Sequence, residues 1–353
     1  MLNFLVRQAT VADKPALFEF LRRAYPDRAQ YKFPARWEWE YEHNPFARGT
    51  LPIWIALDGD RVIGQSGALV EPLVLDGRET RVGWGVDFFV LPEYRGQGLG
   101  TRLQQANNAG NEIFMSLSMA ATAARIKTHI GLRPLPPVPV YTKIVRHDPA
   151  SVLHTLAART KLPEGLIRRT GVHRLSASLL TARTARRARG ISHPARGVIP
   201  VARFGPEVDD LWARFSPQFP ALIRRDAEYL NWKYVAQPHV QYERFVSPHG
   251  YVIFRRARPP ERNVGLILDV FADPADEGTL RALLGLAIHQ LTAQGVTYLQ
   301  AASSLPVIGQ ILTGWDFKQT KTAIPMIRAN VPVPDAGWLL GKGDHDWDQF
   351  PLA

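Results

Sequence analysis

No cysteine occurs anywhere in the 353 residues, so disulfides, thiolate metal ligands and thiol nucleophiles are excluded from the chemistry of this chain. That absence agrees with a reducing compartment, and a cytoplasmic location is the expectation. No secretory leader is expected either, because the stretch from Met1 to Leu17 has no basic start followed by an apolar core and a small-residue cleavage site. The longest nearly apolar run, Phe114 to Ala124, falls short of the roughly 20 residues that cross a bilayer, so no membrane span is expected. Acids are the scarcer charge, 32 against 43 lysines and arginines, a net charge of +11. Nearly all of that excess is confined to residues 151–200, where ten bases face the single acid Glu164. A confined excess is not the broad basic groove of a nucleic-acid-binding fold, which leaves residues 151–200 as the one segment for such contact.

What is present describes a folded protein. A hydrophobic content of 46% with 21% charged residues lies far from the composition of disordered chains, and the length exceeds one ordinary domain of roughly 100 to 200 residues. Residues 1–148 read as alternating strands and helices. Helices are expected over Asp13 to Tyr25 and Arg36 to His43, and strands over Pro52 to Leu57, Arg61 to Val74 and Arg81 to Val90. The pairs Asp58-Gly59 and Asp76-Gly77 suit hairpin turns. A helix from about Gly98 to Glu112, a strand Ile113 to Met119, a helix ending near Gly131 and a strand Val138 to Val145 complete the region. Residues 149–199 have the look of a basic connector. Residues 200–353 then repeat the first region's landmarks in order: Trp39-x-Tyr41-x-x-Asn44-Pro45 is echoed by Trp232-x-Tyr234-x-x-Gln237-Pro238, and Asp87-x-Phe89-x-x-Pro92 by Asp269-x-Phe271-x-x-Pro274. Together these indicate a tandem duplication.

The chemistry is concentrated after the strand that ends at Val90, where the chain runs Leu91-Pro92-Glu93-Tyr94-Arg95-Gly96-Gln97-Gly98-Leu99-Gly100-Thr101. A strand feeding a glycine-rich turn that opens a helix leaves amides unpaired at the positive end of a helix dipole, the makings of a phosphate site. The glycines at 96, 98 and 100 do not fit a Rossmann fingerprint, and no Gly-Lys-Ser or Gly-Lys-Thr supports a Walker loop. The stretch closely resembles motif A of the GNAT acyltransferase superfamily, in which Arg or Gln, two residues, Gly, one residue, and Gly or Ala form the pyrophosphate loop. Here Arg95, Gly98 and Gly100 stand in those places. The resemblance covers residues 3 to 146 well and 205 to 320 weakly.

The resemblance implies an α/β (α+β) protein of two GNAT-like domains, each a mixed, mostly antiparallel sheet flanked by helices. The expected division is an acyl-CoA-binding acetyltransferase domain at 1–148, a basic linker at 149–199 and a degenerate copy at 200–353. It also implies acetyl-CoA as co-substrate without a metal, with backbone groups of Phe88 and Val90 on the pantetheine arm and Gln97 to Thr101 on the pyrophosphate. In the second copy Glu277, Leu280 and Ala282 fall where Arg95, Gly98 and Gly100 stand in the first, so that copy is not expected to bind CoA. This division of labour resembles that of tandem acyltransferases of the myristoyltransferase and Fem types.

GNAT chemistry is direct attack of an amine on the thioester, which needs a base and a proton for the thiolate. Asp87 is the first candidate base, with Glu71 weaker and Glu93 expected to be a solvated loop residue. The tyrosine that the family often places four residues before a late glycine reads Lys127 here, leaving His129, Tyr141, Tyr94 or a water route for the acid. Trp39, Tyr41, Trp54 and Trp84 line an acceptor cleft or, more commonly for such spacing, fill the core. The cluster Asp344-His345-Asp346-Trp347-Asp348 looks like metal ligands, but near a terminus it is expected to be solvated. The leading function is N-acetyl transfer from acetyl-CoA to a primary amine of a small molecule or peptide. The alternatives are an aminoacyl or long-chain acyl transferase of tandem type, whose arginine segment would touch an RNA carrier, or a non-catalytic acyl-CoA-binding module.

Overall fold

The runs Arg61–Leu75 (β3) and Arg78–Val90 (β4) are long and apolar, and they fold on each other as an antiparallel hairpin in register from Leu75↔Arg78 to Gly64↔Val90. Asp76 and Gly77 close it with φ of 46° and 77°, the left-handed pair that a two-residue hairpin turn demands. A computed structural model describes residues 4–27, 29–118, 125, 127–188, 191, 197–257 and 263–347. Strands β1 (Leu5–Gln8) and β2 (Ile53–Asp58) extend the hairpin on one side, and β5 (Ile113–Ser118) lies on the other, parallel to β4. The remaining strands are β6 (Arg133–Pro134), β7 (Val138–Ile144), β8 (Ile199–Pro200), β9 (Ala221–Ile223), β10 (Glu243–Ser247), β11 (Gly250–Ala257), β12 (Val264–Ala272), β13 (Tyr298–Ala302), β14 (Lys318–Ala329) and β15 (Trp338–Leu339).

One continuous sheet results, in the order β1-β2-β3-β4-β5-β14-β7-β13-β12-β11-β10-β8. Read inward from either end, three antiparallel pairings are followed by one parallel pairing, β4 with β5 and β12 with β13. The expected repeat of landmarks is thus matched by a repeat of topology. The middle is crossed: β7, from the first half of the sequence, pairs with β13, while β14, from the second, pairs with β5. Each half of the sheet is completed by a strand from the other. The tryptophans of the echoed motif meet between the halves, with Trp39 and Trp232 stacked at 4.9 Å and 16°, and Trp39 Nε1 donates to the Trp232 carbonyl at 3.0 Å.

The amphipathic stretch after Asp13 is helix α1 (Lys14–Ala24), which buries Leu17, Phe20 and Leu21. After the short helix α2 (Ala29–Lys32), the expected helix from Arg36 to His43 departs from α geometry. An α turn, α3 (Ala35–Trp37), widens into a π turn over Glu38–Glu42. The wide turn carries three consecutive buried side chains, Trp39, Glu40 and Tyr41, more than one face of a regular helix turns inward. The glycine-rich turn opens helix α4 (Leu99–Ala109).

Residues 149–199, expected to be a connector, include three helices: Pro149–Thr160, Glu164–Thr170 and Val172–Ala188. Their Ala, Leu and Arg content favours helix, Asp148 caps the first by accepting from Ser151 N at 3.0 Å, and Gly171 separates the last two with a φ of 70°. The helix expected to end near Gly131 lies largely outside the described residues.

Candidate active site

Strands β4 and β5 are paired only at Gly83↔Phe114 and Trp84↔Met115, and beyond these residues they part. From Gly85 onward β4 therefore has an edge that β5 does not cover, and the glycine-rich turn lies at the far end of that edge. Gly96 and Gly98 have φ of 79° and 74°, left-handed values that a β-carbon would strain. Gly98 is the residue from which α4 starts, and no side chain caps the helix. The first bond back to the turn runs from Arg102 N to the Gly98 carbonyl at 3.2 Å, so the amides of Leu99, Gly100 and Thr101 belong to the first turn, where a helix offers no internal acceptor. Gln97 and Thr101 are exposed, Leu99 is buried as the anchor, and the Phe88 ring lies beside Gly100. Unpaired amides at an uncapped helix start, reached from solvent, form an anion site.

Arg95 does not reach outward from this turn. Its Nε donates to the Val90 carbonyl at 3.0 Å and its guanidinium packs 5.1 Å from the Phe89 ring centre, so it braces the loop. The Val90 carbonyl, expected to serve the pantetheine arm, is consequently already paired. Phe88, 43% exposed, keeps its place on the uncovered part of β4.

Where the strands part, β4 carries a bulge, with Ser66 of β3 facing both Asp87 and Phe88, and Asp87 adopts a left-handed φ of 50°. The Asp87 carboxylate is enclosed: it forms a close ion pair with Lys32, and Tyr41 donates to it at 3.1 Å. Tyr41 reaches this position because Gly67 has no side chain; a β-carbon there would lie 2.4 Å from the tyrosine oxygen. Beside this group Glu40, pushed up to about 7 by burial, faces Arg36 at 3.2 Å. Burial disfavours charge on Arg36, yet Glu40, Asp346 and Asp87 together hold its guanidinium above the ordinary value.

The expectation of a solvated tail is overturned for residues 344–347, while Asp348 lies outside the described residues. Asp344, His345 and Asp346 are enclosed between the two halves and committed to partners far away in sequence. Arg225 donates to both Asp344 oxygens at 2.9 and 3.0 Å. His345 has Nδ1 2.6 Å from Asp346 and Nε2 3.3 Å from the Gly85 carbonyl, and its ring meets Trp84 edge-on at 5.2 Å. It thus sits at the point where β4 leaves β5, with a left-handed φ of 66°. Burial opposes charge on the imidazole, but the Asp346 carboxylate raises it above its ordinary value. Asp346 is correspondingly held low despite burial. Sequence reading noticed these residues for the wrong reason, since their spacing suggested metal ligands and their partners are not local.

The second half has the same frame without the site. Asp269 is gripped by Arg225 at 3.1 Å and by Tyr251 at 3.1 Å, a base and a tyrosine as at Asp87, although this tyrosine comes from β11 and not from Tyr234, which echoes Tyr41. Lys32 stands seven residues before Trp39, as Arg225 stands seven before Trp232. The split between β12 and β13 is filled by the chain itself: Gly343 N donates to the Leu268 carbonyl at 2.9 Å, Lys342 N to the Ala302 carbonyl at 3.2 Å, and Gly341 bridges to Ser303. Its following helix, Glu277–Ala293, is capped by Asp276, which accepts from Thr279 N at 2.9 Å. A carboxylate already holds the place an incoming anion would take.

The other candidates are placed as follows. Glu71 is fully buried and accepts from Lys233 at 2.6 Å and Tyr229 at 3.0 Å. Glu93 pairs with Arg61 at the surface, Tyr94 donates to Asp58 at 2.8 Å, and His129 is exposed. Tyr141 packs against Gly309 in the other half. Lys127 donates to the Leu117 carbonyl of β5 at 2.8 Å, and burial lowers its ammonium to about 8. Trp39, Tyr41, Trp54 and Trp84 are all buried in the core.

A parted sheet beside an uncapped glycine-rich helix start is the arrangement that the motif's resemblance to GNAT acyltransferases leads one to expect. Residues 14–107 match the model of the Acetyltransferase (GNAT) family. No curated protein matches the chain by sequence. Among solved structures, a probable N-acyltransferase from Enterococcus faecalis is similar at a TM-score of 0.56 and 11% identity, over 93% of this chain and 72% of that one. A GCN5-related N-acetyltransferase from Kribbella flavida gives 0.56 and 13%, over 93% and 71%. N-myristoyltransferase from Saccharomyces cerevisiae, solved with myristoyl-CoA, gives 0.58 and 10%, over 94% and 80%. At these identities the likeness speaks for the fold, which extends over both halves.

Proposed function

We propose that the amino-terminal half binds acetyl-CoA and transfers its acetyl group to a primary amine of a small molecule or peptide. The observation that carries this reading is the uncapped start of α4 at Gly98, at the far end of the β4 edge that β5 leaves uncovered. The amides from Gln97 to Thr101 hold the diphosphate, Gly96 and Gly98 keep the turn free of side chains, and Arg95 braces it. Backbone of Phe88 pairs with the pantetheine arm as an added strand would. The second half supplies the tail that closes the site and binds no nucleotide.

The amine nitrogen attacks the thioester carbon, the carbon–sulfur bond breaks, one proton leaves the amine and one reaches the thiolate. Asp87, the first candidate from sequence, is replaced in this reading. Its carboxylate is engaged by Lys32 and Tyr41, and the same arrangement recurs at Asp269 in a half without a phosphate loop. His345, standing where the strands part and oriented by Asp346, takes the amine proton on Nε2 in its neutral form, once that nitrogen has lost its own proton and turned from the Gly85 carbonyl to the amine. Lys127, on the opposite wall, gives a proton to sulfur; its value of about 8 is close to that of a thiol.

Calorimetric titration with acetyl-CoA tests the reading. Saturable binding is expected, abolished by Gly98→Glu and retained in weakened form by Gly98→Ala, which shares the backbone strain but adds neither bulk nor charge. Equal affinity of the Glu variant would refute the loop assignment. Tighter binding of myristoyl-CoA than acetyl-CoA would move the reading to a long-chain acyl transferase.

A further inference from the structure

The helical segment 149–188 has a surface unlike the rest of the chain. Six of the twelve large apolar side chains that stand exposed among the described residues fall between residues 162 and 180: Leu162, Leu166, Val172, Leu175, Leu179 and Leu180. In the helix Val172–Ala188 the buried positions are His173 and Ala177, with Thr181 and Thr184 turned toward the body, where Thr181 accepts from His147 N. Val172, Leu175 and Leu179 recur at the spacing of one helical stripe, and 3.6 residues per turn place that stripe opposite the buried one. Arg183 continues it. The segment also carries eight bases and one acid. Among the described residues no ion pair joins Arg159, Arg168, Arg169, Arg174 or Arg183 to an acid, so the arginines do not serve to lock a linker against the two halves.

We propose that this segment docks the protein on an anionic phospholipid surface, with the leucines entering the boundary between headgroups and acyl chains and the arginines meeting lipid phosphates. A leucine stripe set among uncompensated arginines is complementary to both parts of such a surface. Single-stranded RNA fits less well, because between Tyr141 and Phe204 the chain has no Phe, Tyr or Trp on which bases stack. A second copy fits less well because two equally basic faces repel one another.

The test is co-sedimentation of the full chain with vesicles of phosphatidylcholine alone and of phosphatidylcholine mixed with phosphatidylglycerol. Binding to the anionic vesicles only is expected, weakening as salt rises. Replacing Leu166, Leu175 and Leu179 by serine is expected to lower partitioning about tenfold per leucine, while acetyl-CoA affinity and the circular dichroism spectrum stay unchanged. Replacing Arg168, Arg169, Arg174 and Arg183 by glutamine is expected to weaken binding and flatten its salt dependence. The proposal is overturned by equal binding to both vesicle types, by no binding at low salt, or by an unchanged affinity of the triple-serine variant. It is likewise overturned if single-stranded RNA displaces the vesicles and binds that variant as well as the parent, or if the parent forms a dimer that the variant does not.

Discussion

Asp87 and His345 stand at the parting of β4 and β5, and both hold left-handed backbone conformations that cost of order 1–2 kcal/mol in a residue with a β-carbon. Their surroundings assign them different work. Asp87, with Lys32 and Tyr41 on its oxygens, fixes the bulge. Asp87→Asn is therefore expected to lower unfolding free energy by about 3 kcal/mol, because the buried Lys32 loses the carboxylate that neutralises it. Its kcat is expected to stay within about tenfold of the parent, where loss of a general base removes about 10²- to 10⁴-fold; steady-state kinetics beside denaturant unfolding separate the two. His345 carries a pH signature. Its value is raised in the fold, so the stabilisation it gives is complete below its ordinary value of about 6.5 and is lost as pH rises through the raised one. Asp346, held low, contributes above the ordinary carboxylate range and loses its contribution as pH falls. Unfolding free energy measured from pH 6 upward is expected to decline, each titrating group contributing at most about 1.4 kcal/mol per pH unit, and His345→Gln is expected to make the decline shallower, with the part that remains below about pH 7 belonging to Glu40. A parent curve as flat as the variant's would remove His345 from this role.

Among the elements, the exchange of β7 and β14 and the stacked pair Trp39 and Trp232 hold the halves together. Trp39→Ala removes a buried ring and its hydrogen bond to the Trp232 carbonyl, and is expected to cost about 3–5 kcal/mol, read as a shift in the urea midpoint. A loss below about 1 kcal/mol would mean that the halves do not depend on this contact. Most elements were legible in the sequence. Asp76-Gly77 closes its hairpin, the stripe Leu280, Leu283, Leu284 and Leu291 lies on a helix, and Gly98 starts one. Those signals are local, set by backbone conformation and periodicity. The exchange was not legible, because an apolar run such as Val138–Ile144 specifies a buried strand but not its neighbours. The tail was misread for a related reason: acids close in sequence suggested a solvated or metal-binding cluster, whereas Arg225, Arg36 and Gly85 are brought to it only by the fold. The helices of 149–188 were judged by composition, which cannot show that Arg159, Arg168, Arg169, Arg174 and Arg183 pair with no acid among the described residues.

At the scale of the molecule, a repeated frame differs between its two halves. The first half leaves its helix start uncapped and its sheet parted; the second caps the helix with Asp276 and threads residues 341–343 into the equivalent split. The tail that fills one split places His345 at the other, so under the proposed function the second half completes the site in the first. Among the described residues no helix is long and apolar enough to cross a membrane, and contact with lipid is assigned to the surface of 149–188 alone. The most direct measurement is a crystal structure with acetyl-CoA bound. The account predicts diphosphate oxygens within hydrogen-bonding distance of the amides of residues 97–101 and the acetyl group beside His345; an empty turn there, or nucleotide lodged between β12 and β13, would contradict it.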